Sequence, residues 1–405
     1  MNARVIKYAD IAIEYAVYVF VLAMFVSTSL WQAALALILL AWSIKHAVSR
    51  GGQLDYLRHP LMWVGLAFCS MVLISAFYMP DTLEGLRVYK NTIGAAMILL
   101  LAIPDIFKDE RRQHRLFVIL ACAAAAVVSL QIGRYASDYL QDESLRSYSH
   151  YRKMAEPLAL YLPFALALAL LHTKVVARIF WMVVVVILVG LLAATGARGA
   201  LAGTAAALFV WLLLRPERQF IFAIAILATA TLSVMFVLDM PLLHRVGEGV
   251  MSASTMDRLG RLWPQAYEMI AAKPVLGYGY GDYYGELLRQ SATHPEWVVT
   301  KPGPYGPHNN YLEIWVSAGI AALSMLIVLF AKLFSQLVIL VRGAAPASTK
   351  YLALATLCAF TAHFLVRGFV EDMNWRPLGV LVGIAAALSM GQRKVVASGG
   401  GVRST

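Results

Sequence analysis

Apolar residues in this chain come in runs about as long as a membrane is thick, separated by shorter polar stretches. A helix that crosses a bilayer needs about 20 mostly apolar residues. Twelve stretches reach or approach that length: 9–29, 31–48, 60–79, 84–103, 114–135, 157–172, 176–194, 199–214, 219–240, 311–334, 350–370 and 376–391. The sixth and twelfth are short, and little more than "STSLWQ" divides the first two. The pattern predicts an all-α polytopic membrane protein with about 12 transmembrane helices. Helices 1–9 fall within 1–240, a loop domain within 241–310, helices 10–12 within 311–391, and a tail within 392–405. The opening "MNARVIKYADIAIEYAVYVF" has a basic flank and no small-residue cleavage site, which predicts an uncleaved first helix.

The rhythm fails between Met240 and Asn310, where no stretch is a convincing span. A connection this long is usually functional or carries its own structure. Within it Met256, Leu259, Leu262, Trp263, Ala266, Met269 and Ile270 recur at helical spacing, and Arg258, Arg261, Gln265 and Glu268 form a polar stripe. That predicts an amphipathic helix at the membrane surface, kinked or restarted at Pro264. "GYGYGDYYG" then reads as a glycine-rich aromatic turn. No strand precedes it, so it does not fit a nucleotide-binding fingerprint.

Composition agrees with a membrane protein: 60% of the 405 residues are hydrophobic and 14% charged, against roughly half and a quarter in soluble domains. The net charge of +11 would suit a nucleic-acid partner, but its distribution argues otherwise. Lys45, Arg58, Lys108, Arg111, Arg112, Arg115, Arg215 and Arg342 all fall in one set of loops, whereas the opposite loops mix signs. Excess Lys and Arg marks the cytoplasmic side. Both termini are therefore expected in the cytoplasm and residues 241–310 on the far face. Cys69, Cys122 and Cys358 all lie within predicted helices and read as small packing residues, with no disulfide or metal site.

Candidate chemistry gathers at the predicted outer ends of helices. In "PHNNYLE", Asn310 and Glu313 have capping-box spacing, which would start a helix just after His308. A neutral imidazole there can accept a proton as a general base; a histidine that only satisfies a helix end is the plainer alternative. Arg198, in "ATGARGALAG", lies among small residues that let helices approach closely. It either snorkels to water or faces a polar cavity, where its planar fork suits phosphate. Arg87 and Lys90 before the fourth span, and Arg152 with Lys153 before the sixth, either anchor the interface or extend the same basic mouth. The sequence offers no Walker loop and no Asp-x-Asp pair for a divalent ion, and no cofactor is expected. Several cations beside one base suit a donor that carries a diphosphate leaving group on a lipid.

At these residues the chain resembles the O-antigen ligase and polymerase superfamily of bacterial inner-membrane glycosyltransferases. The resemblance rests on "TGARGALAG", "RLWPQAYEMIAAKPVLGYGYGDYYG" and "PHNNYLEIWVSAGI" in that order, and is closest in the second half. It implies GT-C-type architecture and a metal-independent, inverting transfer from undecaprenyl diphosphate in the periplasm. It further implies His308 as the base and Arg198 as a catalytic arginine, with Arg258 favoured as the loop arginine and Arg261 as its helper. Asn309 and Tyr311, in the same motif, are expected to bind substrate, as are Arg87, Lys90 and Arg152. Ligation to lipid A–core is the activity favoured, since one outer loop dominates and the chain ends soon after the last span. Polymerisation of O-units and transfer to protein hydroxyls are the alternatives within the superfamily. A lipid-linked glycan flippase is the non-enzyme alternative; it predicts repeated halves and charges deep within many spans, and neither is clear in the sequence.

Overall fold

The structure, a computed structural model, describes residues 2–49, 54–141, 154–218, 258–292, 306–371 and 374–399 except positions 196 and 282, together with residues 221, 294 and 297. Among these residues it is helical throughout, without a strand. α1 (Asn2–Ala23) packs against α2 (Thr28–Val48), and α3 (Pro60–Ala76) follows. Pro60 occupies the first turn of α3, where the missing N–H has no helical partner to lose. α4 (Thr82–Tyr89) passes through a π turn (Lys90–Gly94) into α5 (Ala95–Ile106). α6 (Glu110–Gln141), α7 (Ala155–Leu171), α8 (Val175–Ala194) and α9 (Arg198–Leu214) come next. A π turn at Arg258–Leu262 opens α10 (Trp263–Ala272), and α11 (Tyr283–Ser291) precedes α12 (Asn310–Arg342). α13 (Ala347–Phe360) runs on through a π turn (Thr361–Val366) and a 3-10 turn (Arg367–Phe369) before α14 (Arg376–Gly399).

Every predicted apolar run but one lies on these helices; the ninth, 219–240, lies outside the described residues apart from residue 221. Among the described residues, six helical stretches are long and apolar enough to cross a membrane: Thr28–Val48, Thr82–Ile106, Glu110–Leu130, Val175–Ala193, Asn310–Arg342 and Ala347–Phe369. α3, α7 and α9 are apolar but shorter. These features are those of an integral membrane protein. α7 is apolar on every face and is buried on nearly every face, against α6, α8 and α13. A helix of that composition belongs inside a bundle.

Buried charge is present, contrary to the sequence expectation. Asp105, fully enclosed, accepts from Lys45 (2.8 Å), Lys108 (3.0 Å) and His46 (3.2 Å), and Lys45 also reaches Asp10 at 2.7 Å. Glu14 on α1 accepts from Arg112 and Arg115 on α6, each at 3.2 Å, and from the Tyr18 hydroxyl at 2.7 Å. Lys45, Lys108, Arg112 and Arg115 thus join α1, α2, α5 and α6 instead of standing free in loops. Each buried charge has an opposite partner, the condition under which burial is tolerated.

The tenth span departs most from its prediction. α12 is helical from Asn310 to Arg342 but is broken at Gly319, whose φ of 76° and ψ of 179° belong almost exclusively to glycine. From Ile320 to Arg342 the helix is about 35 Å long, enough to cross a bilayer by itself. The break frees backbone groups, and the glycine-rich loop meets them. Tyr278 N–H donates to the Val316 carbonyl and Gly279 N–H to that of Ser317, both at 2.9 Å, while Ile320 N–H donates to Pro274 O at 2.9 Å. Gly277, Gly279 and Gly281 all have positive φ, as the predicted aromatic turn requires. The fit is close: a Cβ on Gly319 would lie 1.9 Å from the Val275 carbonyl oxygen. Gly319→Ala should therefore sharply lower the thermal midpoint of the purified protein, because about 1–3 kcal/mol of backbone strain adds to the clash. Gly190→Ala, which has nothing within 4 Å of the added carbon, should leave the midpoint at or slightly above wild type.

Candidate functional site

Among the described residues His308 is the one non-glycine with positive φ, at 49°. Such a backbone costs energy and persists only where its surroundings over-determine it, so it points to a functional position. Fixed points stand on both sides. The Trp263 indole N–H donates to the Pro307 carbonyl at 3.1 Å. After the histidine, the Asn309 side chain accepts from the N–H groups of Tyr311 (3.0 Å) and Leu312 (3.1 Å). Asn309, one residue earlier than the capping-box spacing suggested, is therefore the N-cap of α12. Both asparagines are compatible with a cap by type; the left-handed turn at His308 places the first of them there. His308 itself is half-buried.

Trp263 also ties the loop arginines to this histidine, since it directly follows the π turn that holds Arg258 and Arg261. Both arginines are half-buried. The predicted polar and apolar stripes hold only in part: Leu262, Ala266, Met269 and Ile270 are buried, but so is Gln265, whereas Leu259 is exposed. A π turn winds wider than an α turn, so residues before Trp263 do not share the helical phase of those after it. Trp263 and the buried face of α10 pack with Tyr278, Tyr283, Leu287, Leu312 and Val316 into a small core of their own. This core fixes the loop against the first turns of α12.

Arg198 is the first residue of α9 and is half-buried. Arg87 and Lys90 are exposed, and Arg87 pairs with Glu84 on the surface at 3.3 Å. Their stretch touches the aromatic turn through Thr92 and Tyr280, whose hydroxyls lie 3.1 Å apart. Burial pushes the Tyr280 phenol far above its ordinary pKa, so it stays a neutral hydrogen-bonding group. Asn309 and Tyr311 carry structural tasks: one caps α12, and the hydroxyl of the other donates to the Phe364 carbonyl at 2.9 Å. Arg152 lies outside the described residues. The three cysteines are free thiols, two buried and Cys122 half-buried. Among the described residues, no three His, Cys, Asp or Glu side chains converge as a metal-binding set.

A further polar group escaped the sequence reading. Around the end of α13, His363 Nε2 lies 3.2 Å from the Asn374 carbonyl and 3.5 Å from Glu156, and Arg367 is paired with Glu371. Glu156 also accepts from Asn374 N–H at 3.0 Å. The Arg376 guanidinium lies 4.2 Å over the Trp31 ring and donates to the carbonyls of Asn91 and Met24, both at 3.1 Å. These residues sit at the ends of predicted spans, where the sequence gives each the look of an ordinary interfacial charge. Only the convergence of α2, α7, α13 and α14 reveals the group.

Two comparisons with known proteins bear on this geometry. Residues 183–327 match the O-Antigen ligase family domain; that stretch contains Arg198, Arg258, Arg261, Trp263 and His308. Along 393 residues the chain is 24% identical to an O-antigen ligase of Salmonella typhimurium (strain LT2), covering 92% of this chain and 94% of that protein. The matched stretch holds the strained histidine, the tryptophan that fixes it and the half-buried arginines, and the likeness to an O-antigen ligase extends over nearly the whole length of the chain.

Proposed function

We propose that this protein ligates O-antigen polysaccharide from undecaprenyl diphosphate to lipid A–core on the periplasmic face of the bacterial inner membrane. Residues 241–310 then form the periplasmic loop domain of a GT-C-type enzyme, and both termini are cytoplasmic. The observation that carries this reading is the backbone of His308, held in a left-handed turn between two anchors and joined through Trp263 to the arginine-bearing turn. An acceptor hydroxyl attacks the anomeric carbon from the face opposite the diphosphate, which inverts the configuration. The anomeric C–O bond to phosphate breaks, its electron pair leaves with the diphosphate, and the hydroxyl proton passes to His308. Arg198 and Arg258, helped by Arg261, stabilise the charge on the leaving group, and the reaction requires no divalent metal.

Three outcomes test this reading. General-base assistance is worth roughly 10²–10⁴ in rate. His308→Gln, which keeps hydrogen bonding without taking the proton, should lose about that much ligation in an assay with lipid-linked donor and core acceptor. Its donor binding should stay near wild type; a His308→Gln enzyme nearly as fast as wild type would remove the base assignment.

Trp263→Phe keeps most of the ring and deletes the N–H that holds Pro307. A neutral hydrogen bond is worth about 0.5–1.5 kcal/mol net, so kcat should fall about two- to tenfold with little change in donor KM. In a His308→Gln background the same change should cost nothing more. Additive losses would show that Trp263 does not act through the histidine.

Arg198→Lys and Arg258→Lys should each retain little activity at normal membrane levels, because an ammonium cannot reproduce a two-pronged contact with phosphate. Wild-type rates in Arg198→Ala would return that residue to an interfacial role.

A further inference from the structure

Three π turns occur among the described residues, at Lys90–Gly94, Arg258–Leu262 and Thr361–Val366. Single π turns inside α-helices are rare and concentrate at functional sites. The first begins at Lys90 and the second holds Arg258 and Arg261, all candidates from the sequence. The third lies beyond the family-matched residues 183–327, and no role has been given to what it carries.

Its surroundings are those of the site. A Cβ on Gly203 would lie 2.4 Å from the Ala362 carbonyl oxygen, so α9 rests directly on the π turn. One on Gly199, next to Arg198, would meet Val370 at 2.8 Å and the Glu371 carboxylate at 3.2 Å. On the other side, a Cβ on Gly368 would lie 3.8 Å from both the Asn310 amide nitrogen and the Tyr311 ring. The Tyr311 ring packs at a tilt against Phe369 with ring centres 4.4 Å apart. The stretch 361–371 is thus wedged between the helix that Arg198 begins and the helix that follows His308.

Arg367 stands where the π turn passes into the 3-10 turn and is only 4% exposed. Glu371 takes its Nε side. Nη1 is buried with no hydrogen-bond acceptor among the described residues. A guanidinium has five N–H donors in a rigid plane, and leaving a buried charged donor unmet is costly. Elsewhere in the bundle Lys45 meets two carboxylates, and Asp105 meets two lysine ammonium groups and the His46 imidazole, whereas Arg367, like Arg215 at the end of α9, keeps a buried donor unmet.

We propose that Arg367 is a further anion-binding residue of the donor site, holding a phosphate of the lipid-linked diphosphate through Nη1, with Glu371 positioning its plane. The inference rests on the glycosyl-transfer reading above and adds a contact that reading did not contain. It predicts a donor diphosphate gripped from the α13 side as well as from α9 and the loop.

The test is binding of undecaprenyl diphosphate and of undecaprenyl phosphate to the full-length protein in lipid nanodiscs. A hydrogen bond to a charged group is worth about 1.5–3 kcal/mol, or roughly ten- to a hundredfold in affinity. Arg367→Gln should weaken the diphosphate lipid by that factor and weaken the monophosphate lipid less, narrowing the preference between them. A purely structural role would not change that ratio. Should Arg367→Gln fail to accumulate, Arg367→Lys, which keeps the charge beside Glu371, decides the matter by the same ratio. An unchanged ratio in the accumulating variant, with Arg198→Lys weakened, would overturn the role of Arg367 and leave the proposed function standing. Unchanged binding in both arginine variants, with His308→Gln fully active, would overturn the proposed function and this inference with it.

Discussion

A helix cannot be interrupted within an apolar bundle unless something else takes up the hydrogen bonds it abandons. In this protein the interruption is at Gly319, and residues 274–279 take them up. This exchange explains why the glycines of "GYGYG" and the glycine of "SAGI" lie in separate parts of the chain yet meet in space. The Trp315 indole reinforces it by donating to the Pro274 carbonyl at 3.2 Å. With the loop tied there, Trp263 comes within reach of Pro307 and the backbone of His308 acquires its left-handed turn. The candidate base is thus positioned through contacts of the main chain around it.

The two polar regions of the bundle follow different electrostatic rules. Where α1, α2, α5 and α6 join, buried carboxylates and cations answer each other within about hydrogen-bonding distance. Such pairs bring little net stability against an apolar replacement, but removing one partner is strongly destabilising. Around the starts of α9, α12 and α14, cations stand on or beside π turns, and one buried guanidinium nitrogen is unmet. The first region closes its charge upon itself. The second leaves one of its donors unanswered among the described residues.

Much of this was legible in the sequence, and the failures have definite causes. Apolar runs of membrane length gave the helices, because backbone satisfaction and bilayer thickness restrict such runs to one structure. His308 and Arg198 stood out because each marks the predicted outer end of an apolar run, and the loop arginines because they fall on the polar stripe of an amphipathic stretch. The break in α12 was not legible: Gly319 is one small residue in an unbroken apolar run, and its φ is set by a loop some 40 residues earlier. Nor could helical periodicity foresee a π turn, which is why Leu259 and Gln265 were placed on the wrong faces. Glu156, His363 and Arg367 gave no signal because each is ordinary alone and acquires meaning from neighbours on other helices.

The break at Gly319 also bears on how the protein is made. A segment such as Ile320–Arg342 can enter a bilayer as a self-sufficient helix, but residues 310–318 cannot complete their backbone bonding without the loop. The loop is the earlier of the two in the chain and so leaves the ribosome first. The later segment therefore finds its acceptors and donors already synthesised, and the candidate site closes from the N-terminal side as α12 emerges. Transplanting α12 into another protein would carry the apolar helix from Ile320 onward without the partners that its first turns require.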